Sequence, residues 1–304
     1  MSWKPTRRTF IAGAAAAGVG ALNYSPGSAK SLGGPADLVV AQGPDAAANA
    51  RAAVAEFGGI GAFVSPGDLV GVSINAMGSI AAAHTDLNLL RAVVELCREA
   101  GAREVRVLSW LEHDRMSYNR LNEKVPETGA VFHEVDQGNP DLWREIEVPR
   151  GKFLKKIRMM KALWEPDVYF TLPVCKHHGV ANFTGCLKLA LATTIREDNR
   201  KYIHQEKSLY LEQCIADLNT AVRPPDLIIM DAMKVLATNG PRGPGKIVDV
   251  GKIIVGTDKV AIDAYCIPFI GRDPVTSIQI QEAAELGLGE KDPSKLSVRE
   301  IQAG

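Results

Sequence analysis

A buried strand, an amphipathic helix and a second strand follow one another in the first third of the chain. Asp68 to Ile74 is mostly apolar, as expected of a strand that is covered on both faces. Asp86 to Ala100 places apolar residues three and four apart and predicts a helix capped by Thr85 or Asp86, and Glu104 to Leu108 predicts the next strand. Strand, helix and strand in this order form a βαβ unit, so we expect a parallel sheet.

The alternation of strand and helix patterns continues through the rest of the chain. The further predicted elements are a helix from about Asp45 to Phe57, a strand from Val168 to Leu172, helices from Phe183 to Thr193 and from Ser208 to Val222, strands over Asp226–Met230 and Lys252–Val255, and a helix from Asp258 to about Ile270. Residues 112–153 are less regular and predict an excursion or a small subdomain. The prediction is one α/β domain over residues 30–304, a Rossmann-like open, mostly parallel sheet with helices on both faces.

The N-terminus has the features of a twin-arginine export signal. Arg7 and Arg8 precede Phe10 and Ile11, and the alanine-rich segment from Ala12 to Leu22 is weakly apolar. This segment is shorter than the roughly 20 apolar residues of a membrane-spanning helix. The sequence therefore predicts a signal peptide over residues 1–29 and passage through the twin-arginine translocase. The product would be periplasmic or otherwise exported, without stable membrane insertion after cleavage.

Charge and cysteine content exclude several classes of protein. Without residues 1–29 the chain has 32 basic and 35 acidic side chains and no basic run, which disfavours nucleic acid as a partner. The five cysteines contain no close Cys-x-x-Cys pair, so an iron-sulfur cluster, a disulfide scaffold and a structural zinc site are not expected. The Walker, Gly-x-Ser-x-Gly and His-Glu-x-x-His patterns are also missing from the sequence, which disfavours nucleotide binding and the commonest hydrolase mechanisms.

Polar residues follow several of the predicted strands. Asn75 follows the first strand of the βαβ unit, Lys176 and His178 follow a later strand, and Asp231 and Asp258 follow two more. In open parallel sheets, ligands bind beyond the carboxyl ends of the strands, where such loops meet. We therefore expect these side chains to share one cleft.

The highest concentration of reactive side chains lies in Cys175-Lys176-His177-His178, where a thiol, an ammonium and two imidazoles occupy consecutive positions. Neighbouring cations lower each other's pKa and attract an anion, whereas neutral imidazoles bind metal ions. Thr184 and Lys188 follow at a spacing of four, so they share a helix face, and Lys188 lies in an otherwise apolar stretch. This pattern favours a functional site over a solvated turn.

The candidate site residues fall into three groups by role. Catalysis is assigned to His178, Lys176 and Asp231, ligand binding to Asn75, His84, Asp86, Thr184, Lys188, Asp258 and Asp263, and a metal ion to His178, His204 and His84. Some positions keep a second interpretation. His84 is equally consistent with an exposed side chain, Asp86 with a helix cap, and Asp231 with a loop cap. The segment 240–245, rich in glycine and proline, is an anion-binding loop or an ordinary turn.

A set of short motifs resembles the domain of unknown function 362 family. They run in order from about residue 45 to 272 and are Phe57-Gly58-Gly59-Ile60, Val64-Ser65-Pro66-Gly67-Asp68, His84-Thr85-Asp86, Leu172-Pro173 with Lys176-x-His178, Gly185-x-Leu187-Lys188, Asp226-Leu227-x-x-x-Asp231 and Asp258-x-x-Ala261-x-Asp263-Ala264. The resemblance implies a single α/β domain but no reaction. The positions that it marks are His84, Asp86, Lys176, His178, Lys188, His204, Asp231, Asp258 and Asp263. Some members carry an iron-sulfur insertion, whose cysteine cluster is missing here.

Two functions of different class follow from these observations. The first is an exported enzyme that acts on an anionic small molecule, with or without a metal ion, in which Lys176 and Lys188 bind negative charge and His178 is the acid or base. The second is a non-catalytic periplasmic binding or maturation factor that holds a cofactor or partner in the same cleft. The first is also similar in style to the nickel-pincer lactate racemase family, although no motif matches residue by residue.

Overall fold

The computed structural model describes residues 36–76, 80–109, 121–133, 135–205 and 208–304. The predicted signal peptide over residues 1–29 lies outside the described residues, as does the first part of the irregular segment 112–153. In the part of the chain that is described, none of the helices is long and apolar enough to cross a membrane.

A large mixed sheet forms the centre of the fold. The described strands in chain order are β1 (Leu38–Gln42), β2 (Leu69–Ile74), β3 (Glu104–Val107), β4 (Val131–Phe132), β5 (Trp143–Glu147), β6 (Lys156–Met160), β7 (Val168–Leu172), β8 (Val174–His178), β9 (Asn182–Thr184), β10 (Leu227–Leu236), β11 (Ile247–Gly256) and β12 (Val298–Gln302). The main sheet has the order β12-β1-β11-β10-β7-β2-β3-β4, with β8 beside β10 and β9 beside β8. β5 and β6 form a separate antiparallel pair, of which β5 lies within the segment 112–153 predicted as irregular and β6 follows it.

Parallel pairing dominates the main sheet, which confirms the predicted α/β class. Among its described pairs, six are parallel and three are antiparallel. The predicted βαβ unit is present, because β2 and β3 are parallel neighbours with a helix between them in sequence. The antiparallel pairs come from the β10–β11 and β8–β9 hairpins and from β1 beside β11.

Helices cover both faces of the sheet. The described α-helices are α1 (Ala46–Glu56), α2 (Leu87–Glu99), α3 (Leu121–Lys124), α4 (Cys186–Leu189), α5 (Arg196–Asp198), α6 (Ser208–Leu218), α7 (Lys259–Cys266) and α8 (Ile278–Glu285). Alternate residues of one strand enter different cores: Val39 of β1 packs with α1 and α2, whereas Val40 packs with α4, α6, α7 and α8. This alternation follows from the twofold repeat of a strand and explains why the central strands are apolar throughout.

The main departure from the predicted elements lies around the polar segment 175–178. These residues were expected in a loop, but they form β8, because β10 extends to Leu236 and offers backbone partners beyond the end of β7. The helix predicted from Phe183 is wrong at its start, since Asn182–Thr184 is strand β9. Polar side chains lower strand propensity, but hydrogen bonding to an existing strand overrides it. The sequence patterns also did not indicate β1 and β12.

Candidate functional site

Strand β8 brings Lys176 and His178 to one face of the sheet. Successive side chains of a strand point to opposite faces, so these two lie together while His177 points away from them. β9 pairs antiparallel with β8 and places Thr184 directly opposite Lys176. Cross-strand partners share a face, so the ammonium, the imidazole and the hydroxyl group converge.

Lys188 reaches the same region from helix α4. Gly185 connects β9 to this helix, and a Cβ atom there would overlap the carboxylate of Asp263. The two oxygens of that carboxylate accept hydrogen bonds from the backbone N–H groups of Cys186 (2.6 Å) and Leu187 (3.0 Å). The residue before α4 provides no side-chain cap of its own. Asp263 therefore caps the helix from a distance and fixes the turn that carries Lys188.

These side chains line a cavity of about 310 Å³. Its charged and imidazole groups come from Lys176, Lys188, Arg196, Arg200, Arg242, His178 and His204, its other polar groups from Asn75, Thr184 and Asn199, and its apolar part includes Ile74, Leu189, Leu191 and Ala192. Five of the lining side chains are cationic, and none of the described lining residues is acidic. Cations in a lining with no acid among its described residues give the cavity a positive potential that favours an anion.

Burial weakens the basicity of both lysines in the cavity. Lys176 is 2% exposed, and burial together with the charges of Lys188 and Arg242 lowers the pKa of its ammonium to about 7. Burial lowers the pKa of Lys188 to about 8. Lys176 donates a hydrogen bond to the carbonyl oxygen of Ala83. By contrast, Lys188 has no hydrogen bond or ion pair with the described residues. An anion beside the two ammonium groups would stabilise their charged forms.

The ring of His178 is oriented by the hairpin that connects β8 and β9. Its Nδ1 accepts hydrogen bonds from the backbone N–H groups of Val180 (3.2 Å) and Ala181 (3.0 Å). A nitrogen that accepts two N–H groups carries no proton, so the proton of the neutral ring is on Nε2. Burial, with the nearby charge of Lys188, lowers the pKa of His178 to about 2. At neutral pH this imidazole is a hydrogen-bond donor.

One buried hydroxyl group in the cavity lacks a partner. Thr184 is 2% exposed, and its Oγ1 makes no hydrogen bond with the described residues. An unpaired buried hydroxyl costs about 1–3 kcal/mol, so native structures rarely retain one without a reason. A ligand oxygen in the cavity would satisfy it.

The arginines of the cavity come from two segments that are not strands. Arg196, Arg200 and His204 are spaced four residues apart across α5 and the π-helical turn Asn199–Ile203, so they lie on one face. Burial lowers the pKa of His204 to about 4, and its Nδ1 contacts the side-chain oxygen of Asn199. The sequence showed the spacing of four, but these arginines were not recognised as site residues.

Arg242 enters the cavity from the loop between β10 and β11. Gly240 in this loop donates its N–H to Nδ1 of His177 (3.2 Å) and accepts a hydrogen bond from the N–H of Gly179 (3.0 Å). A Cβ atom at position 240 would overlap the carbonyl oxygen of His177, so the close approach requires glycine. The glycine- and proline-rich segment thus places an arginine side chain at the site.

Asp231 and Asp86 lie on a different cavity, of about 570 Å³. The Asp231 carboxylate is buried and accepts hydrogen bonds from the N–H groups of Asp86 (2.9 Å) and Met233 (3.1 Å). Burial raises the pKa of Asp231 to about 6. Asp86 caps α2 by accepting from the N–H of Asn88. The expectation of a single cleft therefore fails for these two carboxylates, because they line a cavity that contains neither of the two lysines of the first cavity.

The remaining predicted residues have identifiable positions. Asn75 lines the first cavity and accepts a hydrogen bond from the N–H of Val174 (2.8 Å). His84 is half-buried next to Lys176 but is not among the lining residues, and burial lowers its pKa. The Asp258 carboxylate caps α7 by accepting hydrogen bonds from the backbone N–H groups of residues 260 and 261. It also accepts a hydrogen bond from the backbone N–H of Glu290. Asp258 and Asp263 thus organise helix starts, and neither lines the cavity.

The predicted metal ligands are only partly brought together. His178 and His204 line the same cavity, whereas His84 does not. Within the described ranges, no group of three or more histidine, cysteine, aspartate or glutamate side chains is arranged to hold a metal ion. Two imidazoles among five cationic side chains are a poor donor set for a divalent cation, since the neighbouring charges repel it.

Among solved structures, the chain is similar to the lactate racemase apoprotein from Thermoanaerobacterium thermosaccharolyticum, with 15% identity and a TM-score of 0.39 over 76% of this chain and 56% of that one. It is also similar to a Thermotoga maritima protein, with 14% identity and a TM-score of 0.37 over 78% and 56% of the two chains. The chain spans just over half the length of both. At these scores neither likeness carries an argument about the site. No curated protein matches the chain.

The family resemblance inferred from the motifs has an independent counterpart. The model of the family Domain of unknown function (DUF362) matches residues 69–268, from the first residue of β2 to just beyond the end of α7. This range contains Lys176, His178, Thr184 and Lys188, and with them the central part of the cavity. Because the match covers more than half of the chain, the protein belongs to the DUF362 family.

Proposed function

We propose that this protein is an exported enzyme that binds an anionic small molecule in the 310 Å³ cavity and carries out acid–base chemistry on it. The observation that carries the proposal is the charge of the lining, with five cationic side chains and no acid among the described residues. Among these side chains, the Lys188 ammonium is desolvated and has no partner among the described residues, and burying such a charge has a high cost in free energy. A bound anion removes that cost and accounts for the arrangement.

Three groups supply the hydrogen bonds for the anion. The Lys188 ammonium and the Thr184 hydroxyl have no partners among the described residues, and Nε2 of His178 is the ring nitrogen that the hairpin leaves unused. Together they present an ammonium, an O–H and an N–H to one ligand group. Hydrogen bonds to a charged acceptor are the strongest of this type.

Lys176 is the acid–base candidate. A pKa of about 7 means that both protonation states are populated at neutral pH, which is the optimum for proton transfer. Its hydrogen bond to the carbonyl oxygen of Ala83 holds the ammonium in place. His178 is less suited to this role, because its low pKa and its unprotonated Nδ1 keep it neutral. We therefore assign His178 to binding and Lys176 to proton transfer.

Asp231 and the metal ion take no part in this proposal. Asp231 lies on the other cavity and is held by backbone N–H groups. His178 and His204 would be the ligands of a metal ion, but the surrounding cations favour an anion at the same place.

Native mass spectrometry of the purified protein, followed by calorimetric titration with small carboxylates and phosphates, tests the binding. Lys188→Gln should weaken anion binding at least about tenfold, because a charge-assisted hydrogen bond is lost. The control Lys161→Gln removes an exposed lysine outside the cavity and should bind as the unaltered protein does. Equal affinities of the two variants would refute the anion site.

Proton transfer is tested in deuterium oxide with any ligand that binds. If the protein exchanges a C–H proton of the ligand for deuterium, the corresponding NMR signal of the ligand disappears. Exchange by the unaltered protein but not by Lys176→Met would support an enzyme that transfers protons through Lys176. Tight binding without exchange or turnover would instead identify the non-catalytic binding factor.

A further inference from the structure

We infer that the ligand carries two anionic groups separated by a short apolar segment. This substrate class rests on the proposed function. The cavity has cationic groups at two depths. Lys176 is 2% exposed, whereas Arg200 and Arg242 are exposed residues of the same lining. Cations at both depths call for negative charge at both.

The inner group is defined by unsatisfied donors. Oγ1 of Thr184 lacks a hydrogen bond within the described part of the chain, although the residue is only 2% exposed. Nζ of Lys188 and Nε2 of His178 line the same space without described partners. Three donors of this kind fit the oxygens of one carboxylate.

The outer group is defined by guanidinium side chains from two separate segments. Arg196 begins α5 and Arg200 lies in the π-helical turn that follows it, and Arg242 comes from the β10–β11 loop. Arginine presents a planar fork of N–H donors that binds carboxylate or phosphate through two oxygens. This end of the cavity therefore accepts a second carboxylate or a phosphate.

Apolar side chains account for the rest of the ligand. Ile74, Leu189, Leu191 and Ala192 share the lining with the two cationic groups. An uncharged carbon segment between the anionic ends would contact these residues and displace water from them. The combined lining fits an α,ω-dicarboxylate or a carboxylate with a terminal phosphate, and disfavours a compact inorganic anion.

The test is calorimetric titration of the purified full chain with sets of matched ligands. Each set contains a dicarboxylate between malonate and suberate, the monocarboxylate of equal length with a methyl group at the second end, and the phosphonate-terminated carboxylate. At least one two-headed ligand should bind at least about tenfold tighter than its one-headed partner. The phosphonate member shows which second group the arginines prefer.

Arg200→Gln probes the outer group, because Arg200 is exposed and has no described partner. It should reduce the preference for two-headed ligands at least about threefold, with little effect on monocarboxylate affinity. Lys188→Gln should weaken both kinds of ligand. The control Arg91→Gln removes an exposed arginine of α2 outside the cavity lining, and it should change neither affinity.

The outcomes separate this inference from the proposed function. Equal affinity for one-headed and two-headed ligands in every set, with both weakened by Lys188→Gln, would overturn the two-group ligand and leave the anion site standing. No binding by any member of any set would overturn both proposals.

Discussion

Asp263 accepts hydrogen bonds from the backbone at the start of α4 while lying against Gly185, with no space between them for a Cβ atom. The carboxylate is fully buried, and burial raises its pKa to about 6. The carboxylate is held in place by the hydrogen bonds that it accepts from the two backbone N–H groups. The position of Lys188 therefore depends on a residue that lies outside the cavity.

We predict that Gly185→Ala destabilises the protein and weakens anion binding. The added Cβ atom would overlap the Asp263 carboxylate and lie 2.5 Å from a ring carbon of Phe183, so either the cap or the ring must move. Overpacking of this kind costs about 1–3 kcal/mol of unfolding free energy. Urea denaturation measures it. Gly61→Ala is the control, since a Cβ atom there has nothing within 4 Å and should have a small effect; equal losses in both variants would contradict the cap.

Anion binding should weaken as the pH rises above neutrality. Burial lowers the pKa of Lys176 from 10.5 to about 7 and that of Lys188 to about 8, so both ammonium groups lose their protons as the pH passes these values. The anion binds the charged forms, so binding at about pH 8 must take up protons, and the affinity falls by up to about tenfold per pH unit for each proton taken up. Calorimetry in buffers of different ionisation enthalpy counts the protons. Affinity that stays constant to about pH 9 would argue against two charged ammonium groups beside the anion.

His178 should remain a neutral Nε2–H tautomer through the physiological pH range. Its Nδ1 accepts two backbone N–H groups, and its pKa is lowered to about 2 by burial and neighbouring cations. Long-range proton–nitrogen NMR distinguishes the protonated nitrogen from the unprotonated one. A titration of this ring between about pH 5 and about pH 8 would show that the hairpin does not hold Nδ1 as described.

Removal of metal ions should leave anion binding unchanged. The cavity offers two imidazoles and five cationic side chains, which favours an anion over a divalent cation. The measurement compares the anion affinity of protein before and after treatment with a chelator, alongside elemental analysis. A stoichiometric metal that is lost in His178→Ala would contradict this prediction and favour the metal-assisted enzyme.

The site could be predicted from the sequence where its residues lie close together along the chain. Lys176 and His178 are two residues apart and share a face of strand β8. Thr184 and Lys188 line the same cavity but not through the predicted helix face, because Thr184 belongs to β9 and Lys188 to α4. The separation of Asp231 from the lysines could not be predicted in this way, because it depends on which strands are neighbours. Arg242 was missed for the same reason: a loop more than 50 residues away in sequence closes on the cavity.

The sequence by itself determined the α/β class and the membership in the DUF362 family, because strand and helix periodicities and short motifs are local properties of the chain. It also contained the concentration of cationic and imidazole groups around Lys176. Only the tertiary structure decided that 175–178 is a strand, that Asp263 is a helix cap, and which charges face one cavity. The physical reason is that pairing partners and burial are properties of contacts between distant segments, and these contacts set the hydrogen bonds and the pKa values of the site.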